Sequence, residues 1–404
     1  MVKMFKFSPL SIWRNKKMEA TSRKKVFATS WHPGGAHAIL PVIKKLAEDG
    51  SVDVVVLGHE FSEPIFSEAG IAFQTIKDFG LTDISEESME KLLKKVSPDL
   101  VLTGTGSQEG KKNDIIEQTT MCAARKLGIA SLAVLDYWAN YSRRFTDERT
   151  GKKLDVLPNK IAVMDETAKL DMLKEGFPES LLVITGNPHF DNLVEKAESF
   201  TEAQKQEIRR SIGFSSGTLF FLACNVFSQW KTINGYWDLD VVKLVSRALS
   251  ALPAPTNTDV DIKVVVRLHP RMPEKDKQEI IEFLGRAVKI KVDQDANPNR
   301  SQVLAMSADL TIVEDSTLGI EAVLMKRPCI SLQPGLLIED SLIVSKKRIV
   351  PVGYKEKDCL NLLSRAVDPG FRAQIVKKYA GFSTDGKATE RVASLVYSLL
   401  EGGR

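Results

Sequence analysis

The segment Val52–Gly58, VDVVVLG, limits most strongly what this chain can become. A strand with one wet face alternates apolar and polar residues. This one is nearly continuous in valine, as expected of a parallel strand covered on both faces. Parallel neighbours need long crossovers, and the sequence supplies them. Short apolar runs at 26–31, 52–58, 71–76, 100–105, 129–135, 160–164 and 181–185 alternate with amphipathic stretches at 36–49, 85–96 and 115–127. A polar, helical stretch around 195–216 follows. The alternation then restarts at 218–224, 264–268, 288–292, 310–313 and 329–332, with helical patterns near 371–379 and 388–400. The pattern predicts an α/β protein of two Rossmann-like doubly wound parallel-sheet domains facing across a cleft. The expected divisions are a tail at 1–24, a first domain at 25–195, a second at 196–375 and a closing helix at 376–404. The stretch 251–261 reads as a loop.

A length of 404 residues is ample for two cores. Four scattered cysteines, Cys122, Cys224, Cys329 and Cys359, form no CxxC pair, which argues against a disulfide framework or structural zinc. With no apolar stretch of bilayer length, these features predict a soluble cytoplasmic protein. Residues 1–25 hold eight Lys or Arg against the single acid Glu19, interleaved with Phe5, Phe7, Leu10, Ile12 and Trp13. The segment lacks the apolar run of a secretory signal and reads as a loose tail or a membrane-surface contact. The remainder is nearly neutral, which disfavours nucleic acid as a partner.

Ligands of doubly wound sheets bind beyond the carboxyl ends of the strands, so the residues there carry the functional reading. After the first run comes TSWHPGGAH. Gly34 and Gly35 either make a tight turn or let backbone N–H groups approach a ligand. The helix start beside them favours an anion, and His37 lies one turn further along. No GxGxxG and no acid after the second strand support a dinucleotide site. The run VVVRLHPR places Arg267, His269 and Arg271 at alternate positions of an extended tip. Such a set suits a phosphate, or acids such as Glu274. In VEDSTLGIE, Ser316 and Thr317 either cap a helix or present hydroxyls and N–H groups to a pyrophosphate. Glu321 follows on the same face, able to accept from ribose hydroxyls. Asp136, Glu109 and His37 are the candidate proton-transfer groups. The aromatics of DYWANY are expected between the domains or at the site, and the Asn187-Pro188 turn near a hinge.

These motifs resemble the GT-B superfamily of nucleotide-sugar enzymes. The segments PDLVLTGT (98–105), AARKLGIASLA (123–133) and ITGNPHFD (184–191) are similar to the UDP-N-acetylglucosamine 2-epimerase group, as is Asp315-Ser316 with the downstream Glu321. The chain departs from that group in two places. It has His32-Pro33-Gly34-Gly35 where the epimerases have Arg-Pro-Glu, and Asp136-Tyr137-Trp138 where they have His-Val-Glu-Ala-Gly. The pairing of His269-Pro270 with Ser316-Thr317 is similar to bacterial sialyltransferases and teichoic-acid-type glycerophosphotransferases, in which such motifs hold nucleotide phosphates. The resemblance implies a nucleotide-activated sugar as substrate, without cofactor or metal. It also implies transfer to a glycan or lipid-linked acceptor in surface-polysaccharide synthesis. The alternatives are an epimerase or hydrolase acting on the UDP-sugar and a non-catalytic nucleotide- or partner-binding protein.

Overall fold

The computed structural model describes residues 23–106, 115–147, 149–251, 261–285, 289–295, 297 and 299–402. The first half builds a six-stranded parallel sheet from β1 (Lys24–Ser30), β2 (Val52–Gly58), β3 (Leu100–Thr103), β4 (Ala130–Val134), β5 (Lys160–Val163) and β6 (Leu182–Ile184), in the order β2-β1-β3-β4-β5-β6. The second sheet contains β7 (Thr218–Ala223), β8 (Ile262–Arg267), β9 (Ile290–Asp293), β10 (Leu310–Val313), β11 (Cys329–Leu332) and β12 (Val352–Gly353). Its order is β12-β11-β10-β7-β8-β9. Both sheets are parallel throughout, as the valine-rich runs require. Ala28 of β1 pairs with Val56 on one side and Leu102 on the other, and none of the three is solvated.

Strand order reverses between β1 and β3 in the first sheet and between β7 and β10 in the second. Connections leave to opposite faces at such a point and open a crevice beyond the strand tips. The residues that follow these four strands are His32, Gly104-Thr105, Asn225 and Glu314-Asp315.

Two expectations needed correction. Residues 71–76 do not form a strand. Gln74 alone bridges to β2, exchanging backbone hydrogen bonds with Val56 and Gly58 at 2.9 Å, while Phe73 folds against Gly58. The 195–216 stretch is two helices, Asp191–Ser199 and Glu202–Ser211. They are split at Thr201, whose hydroxyl accepts from the Gln204 N–H while the Gln204 side chain accepts in return.

The terminal helix Ala388–Gly402 returns to the first sheet, where Val392 and Val396 pack into the core of Ile39, Val42 and Leu46. One carboxylate fixes that return. Asp191, at the start of the helix leaving the first sheet, accepts the N–H groups of Ala388 and Thr389 at 3.1 and 2.6 Å. Capping carboxylates contribute about 0.5–2 kcal/mol. Asp191→Ala is therefore expected to lower unfolding free energy by about 1 kcal/mol in urea titration, with Asp191→Asn recovering part of the loss.

Candidate functional site

The two sets of strand tips meet across the cleft. The Tyr137 hydroxyl, just beyond β4, donates to the Asp315 carbonyl at 2.8 Å and lies 3.4 Å from Ser341 Oγ. His189 Nε2, beyond β6, lies 3.0 Å from Glu321 Oε1 and 3.3 Å from Gln302 Nε2. The Arg271 guanidinium sits over the Phe61 ring, 5.8 Å from its centroid. Each of these contacts joins one half of the chain to the other.

On the first domain's wall, His32 is the N-cap of the helix Pro33–Asp49. Its Nδ1 accepts the Gly34 N–H at 3.2 Å, and Pro33 opens the helix without a wasted donor. The helix thus begins three residues before the expected 36. Gly34 and Gly35 are explained by crowding within the chain. A Cβ on Gly34 would stand 2.0 Å from Asp136 Oδ2, and one on Gly35 would stand 2.6 Å from Ser30 Oγ and 3.2 Å from the Gly104 Cα. Neither position has a positive φ, so it is close packing against the loops after β3 and β4, and not a turn, that leaves no room for a side chain there. Asp136 is buried, with Oδ1 taking a hydrogen bond from Arg144 at 2.6 Å and from the Thr105 hydroxyl at 3.2 Å. Arg144 also donates to the Thr105 carbonyl at 2.7 Å, so the pair is fastened to the loop after β3. Glu117, a buried carboxylate that the motifs did not single out, accepts from Ser30 Oγ at 3.0 Å and the Trp31 N–H at 2.9 Å. His37 turns away from this wall toward His189, ring centroids 4.8 Å apart. Burial, and then the neighbouring His189, drive its pKa down to about 3. Glu109 lies outside the described residues, as do residues 1–22 of the basic leader.

On the second domain's wall the extended cationic tip dissolves. β8 ends at Arg267, and the chain turns at His269, whose carbonyl accepts from Met272 N–H at 2.9 Å. Arg267 pairs in register with Asp293 of β9 and forms a 2.7 Å ion pair with it. It also donates to the carbonyls of Asp295 and Asn297 at 2.7 and 3.0 Å. The expected anion partner is therefore supplied by the chain itself, one strand over, and not by Glu274. His269 stays in the cleft, half-buried, with Nδ1 accepting from the Arg271 N–H at 3.1 Å. Burial, then Arg271 and Arg267, bring its pKa down to about 3.

The short helix Leu318–Leu324 follows β10. Ser316 Oγ accepts the Leu318 N–H at 3.3 Å, whereas the Thr317 side chain makes no cap bond. Glu321, expected to face ribose hydroxyls, is instead engaged by His189. Burial pushes its carboxyl up, but the hydrogen bond with His189 outweighs that and holds it below the usual range. At the β7–β10 switch point, Asn225 Nδ2 donates to Asp315 Oδ1. Beneath it, Asp238 and Glu314 are wholly buried. Asp238 Oδ1 accepts two N–H groups, from Asn225 and Val226, at 2.9 Å, but Asp238 Oδ2 and both Glu314 oxygens find no donor among the described residues. Two bare carboxylates cannot share such a place, and a proton held between them resolves it. Burial raises the Asp238 pKa to about 7, and raises Glu314 well above its ordinary value.

Among the described residues no three His, Cys, Asp or Glu side chains gather as a metal site, and no helix is long and apolar enough to cross a membrane. An apolar cavity of about 370 Å³, lined by Val245, Leu249, Leu360 and Leu363, lies beside the opening residues of β7 and β8, far from the strand tips. It takes no part in the site.

Two facing parallel sheets of this order, joined across their carboxyl ends, define the GT-B fold. In sequence and fold alike the chain is distantly similar to UDP-N-acetylglucosamine 2-epimerases. The enzyme of that name from Methanococcus maripaludis is 21% identical over 278 residues, 69% of this chain and 71% of that protein. The structure superposes on the Neisseria meningitidis UDP-GlcNAc 2-epimerase bound to UDP-GlcNAc with a TM-score of 0.68 at 14% identity, covering 93% of this chain and all of that one. Anabaena HepE, solved with UDP and glucose, gives a TM-score of 0.62 at 13% identity over 94% of this chain and all of that one. No protein-family model matches.

Two outcomes follow from the geometry. Arg267→Ala leaves Asp293 with only Arg300 (2.9 Å) as a cation partner among the described residues. It should cost about 3 kcal/mol of stability, seen as a lowered denaturation midpoint. The raised carboxyls of Asp238 and Glu314 favour folding while they hold their proton. Their stabilisation is full near pH 4 and declines as pH rises through about 7. Asp238→Asn, which keeps Oδ1 for the two N–H groups, is expected to flatten that decline in unfolding measured from pH 5 to 8.

Proposed function

We propose that the protein is an enzyme acting on a UDP-linked amino sugar, of the UDP-N-acetylglucosamine 2-epimerase kind, with the nucleotide against the second domain and the sugar against the first. The observation that carries this reading is the joint similarity, in sequence and in fold, to proteins of that name. One of them was solved with UDP-GlcNAc bound. The strand tips fit the assignment. His269 and the Ser316 turn lie where a diphosphate would rest beyond β8 and β10, and Asp136 lies beyond β4 in the opposite wall. Inversion at C2 requires a base to take the C2 proton while the C1–O bond breaks and UDP leaves with its electron pair, and a second group to return a proton to the opposite face of C2 as UDP re-adds at C1. We assign the removal of the C2 proton to Asp136, which lies at the strand tip of the wall opposite His269 and Ser316.

A second reading keeps the same donor site and replaces epimerisation by transfer to a glycan or lipid-linked hydroxyl. It is favoured by the substitution of Asp136-Tyr137-Trp138 and His32-Pro33-Gly34-Gly35 for the runs typical of the epimerases. Incubation with UDP-GlcNAc alone separates the two. A C2-inverted UDP-sugar or free UDP is expected under the first reading, whereas bound but intact UDP-GlcNAc gives the second its place. Asp136→Asn keeps an acceptor oxygen for Arg144 and Thr105 but removes the charge that pairs with buried Arg144, so the variant is assayed at a temperature where its melting curve shows it folded. It should reduce turnover by about 100-fold or more while UDP affinity stays within a factor of about three.

A further inference from the structure

Among the described residues seven large apolar side chains are well exposed, and four of them stand together. These are Leu337, Ile233, Ile338 and Tyr354, at 71, 51, 46 and 39% exposure. They come from three segments beyond the carboxyl ends of β7, β11 and β12. The Leu337 N–H donates to the Asn234 carbonyl at 3.0 Å, and the Gly335 N–H to the Tyr354 carbonyl at 2.7 Å. The Tyr354 hydroxyl donates to Asp340 Oδ2 at 2.8 Å. Gly235, at φ 89°, lies so close to the neighbouring segment that a Cβ would stand 2.0 Å from the Gly335 carbonyl oxygen. Backbone hydrogen bonds and close packing therefore hold this lip in place while its side chains project.

The lip borders the cleft. Ser341, three residues past Ile338, is 3.4 Å from the Tyr137 hydroxyl, and Lys347 Nζ donates to Thr167 Oγ1 of the first domain at 2.8 Å. None of the four apolar side chains takes part in the site described above.

Single exposed apolar side chains are ordinary, but a cluster on a fixed lip marks a surface that is covered in use. Charge indicates by what. Lys346-Lys347-Arg348 follow the lip, and Lys231 and Lys355 flank Ile233 and Tyr354; all five are exposed. Asp240 and Glu339 answer Lys231 and Lys346 at 2.9 and 2.6 Å, which leaves Lys347, Arg348 and Lys355 as a cationic margin. The leader adds more, with eight Lys or Arg against Glu19 in residues 1–25, interleaved with Phe5, Phe7, Leu10, Ile12 and Trp13. It joins the first domain at the start of β1, and its first 22 residues can extend about 75 Å, several times the length of β1. Chain length thus allows both to meet one surface. A second copy of the chain is a poor cover for the lip. Four side chains fall well short of the ~800 Å² per partner that stable interfaces bury, and a two-fold contact would set the cations against their own copies. A bilayer demands neither, because an apolar anchor and a polybasic segment are each marginal alone and stable together.

We propose that the lip and the leader together seat the protein on an anionic membrane surface, with Ile233, Leu337 and Ile338 entering the headgroup boundary and the edge of the cleft lying beside the lipid. The seating is independent of which reaction the cleft carries out.

Flotation of the full-length protein with vesicles of phosphatidylcholine, with and without phosphatidylglycerol, tests it. Wild type should float with the anionic vesicles, and binding should fall about tenfold when phosphatidylglycerol is omitted or salt is raised. Leu337→Ser combined with Ile338→Ser should lose about tenfold or more on the anionic vesicles at an unchanged melting temperature. Lys16→Glu combined with Lys17→Glu should lose about fivefold or more. Leu337→Trp returns an interfacial side chain, should bind at least as tightly as wild type, and serves if the serine variant melts early. Wild type that fails to float, or floats equally with neutral vesicles, would overturn the proposal. So would binding that ignores either pair of substitutions, or that weakens in Leu337→Trp. If the serine variant instead lowers the sedimentation coefficient of the vesicle-free protein, the lip faces a second copy, and the membrane proposal fails.

Discussion

The hydrogen bonds that tie the carboxyl edges of the two sheets together determine the rest of the architecture around the cleft. Tyr137 reaches the Asp315 carbonyl and His189 reaches the Glu321 carboxylate, so loops after β4 and β6 dock on loops after β10. Parallel sheets gather all their strand ends on one side. Two such edges placed face to face create a crevice in which groups distant in sequence become neighbours. The terminal helix, capped by Asp191 and buried against Val42 and Leu46, links the end of the chain to the first domain.

Buried cations in this protein are matched within the chain before any ligand arrives. Arg144 is held by Asp136, Arg267 by Asp293 and Arg209 by Asp309. Leaving any of these unpaired in a desolvated place would cost several kcal/mol, so pairing them locally is the stable arrangement. Beneath the site, Asp238 and Glu314 apply the same rule to acids, with a shared proton in place of a cation.

Much of this was legible in the residues. Valine-rich runs separated by amphipathic stretches specify parallel strands and crossovers, and Leu310–Val313 and Cys329–Leu332 fall where the apolar pattern puts them. The His-Pro and Asp-Ser tips were visible as strand-end motifs. Arg267 was misread because alternation implies a shared side only while a chain stays extended, and this one turns at His269. The bonds made by His189 and Tyr137 could be suspected from TGNPHFD and DYWANY, yet neither motif names a partner 132 or 178 residues away. Glu117 gave no signal at all, since a glutamate on an amphipathic helix looks like any solvated one.

The sequence by itself determined which segments become strands, which face of each helix is apolar, and therefore that two doubly wound sheets form, because periodicity and side-chain burial are local properties of the chain. Tertiary structure decided which polar groups meet. Hydrogen bonds and ion pairs depend on separations of a few ångströms that only the packed sheets fix, so the pairing of Asp136 with Arg144 and of Glu321 with His189 exists only once the strands are in place.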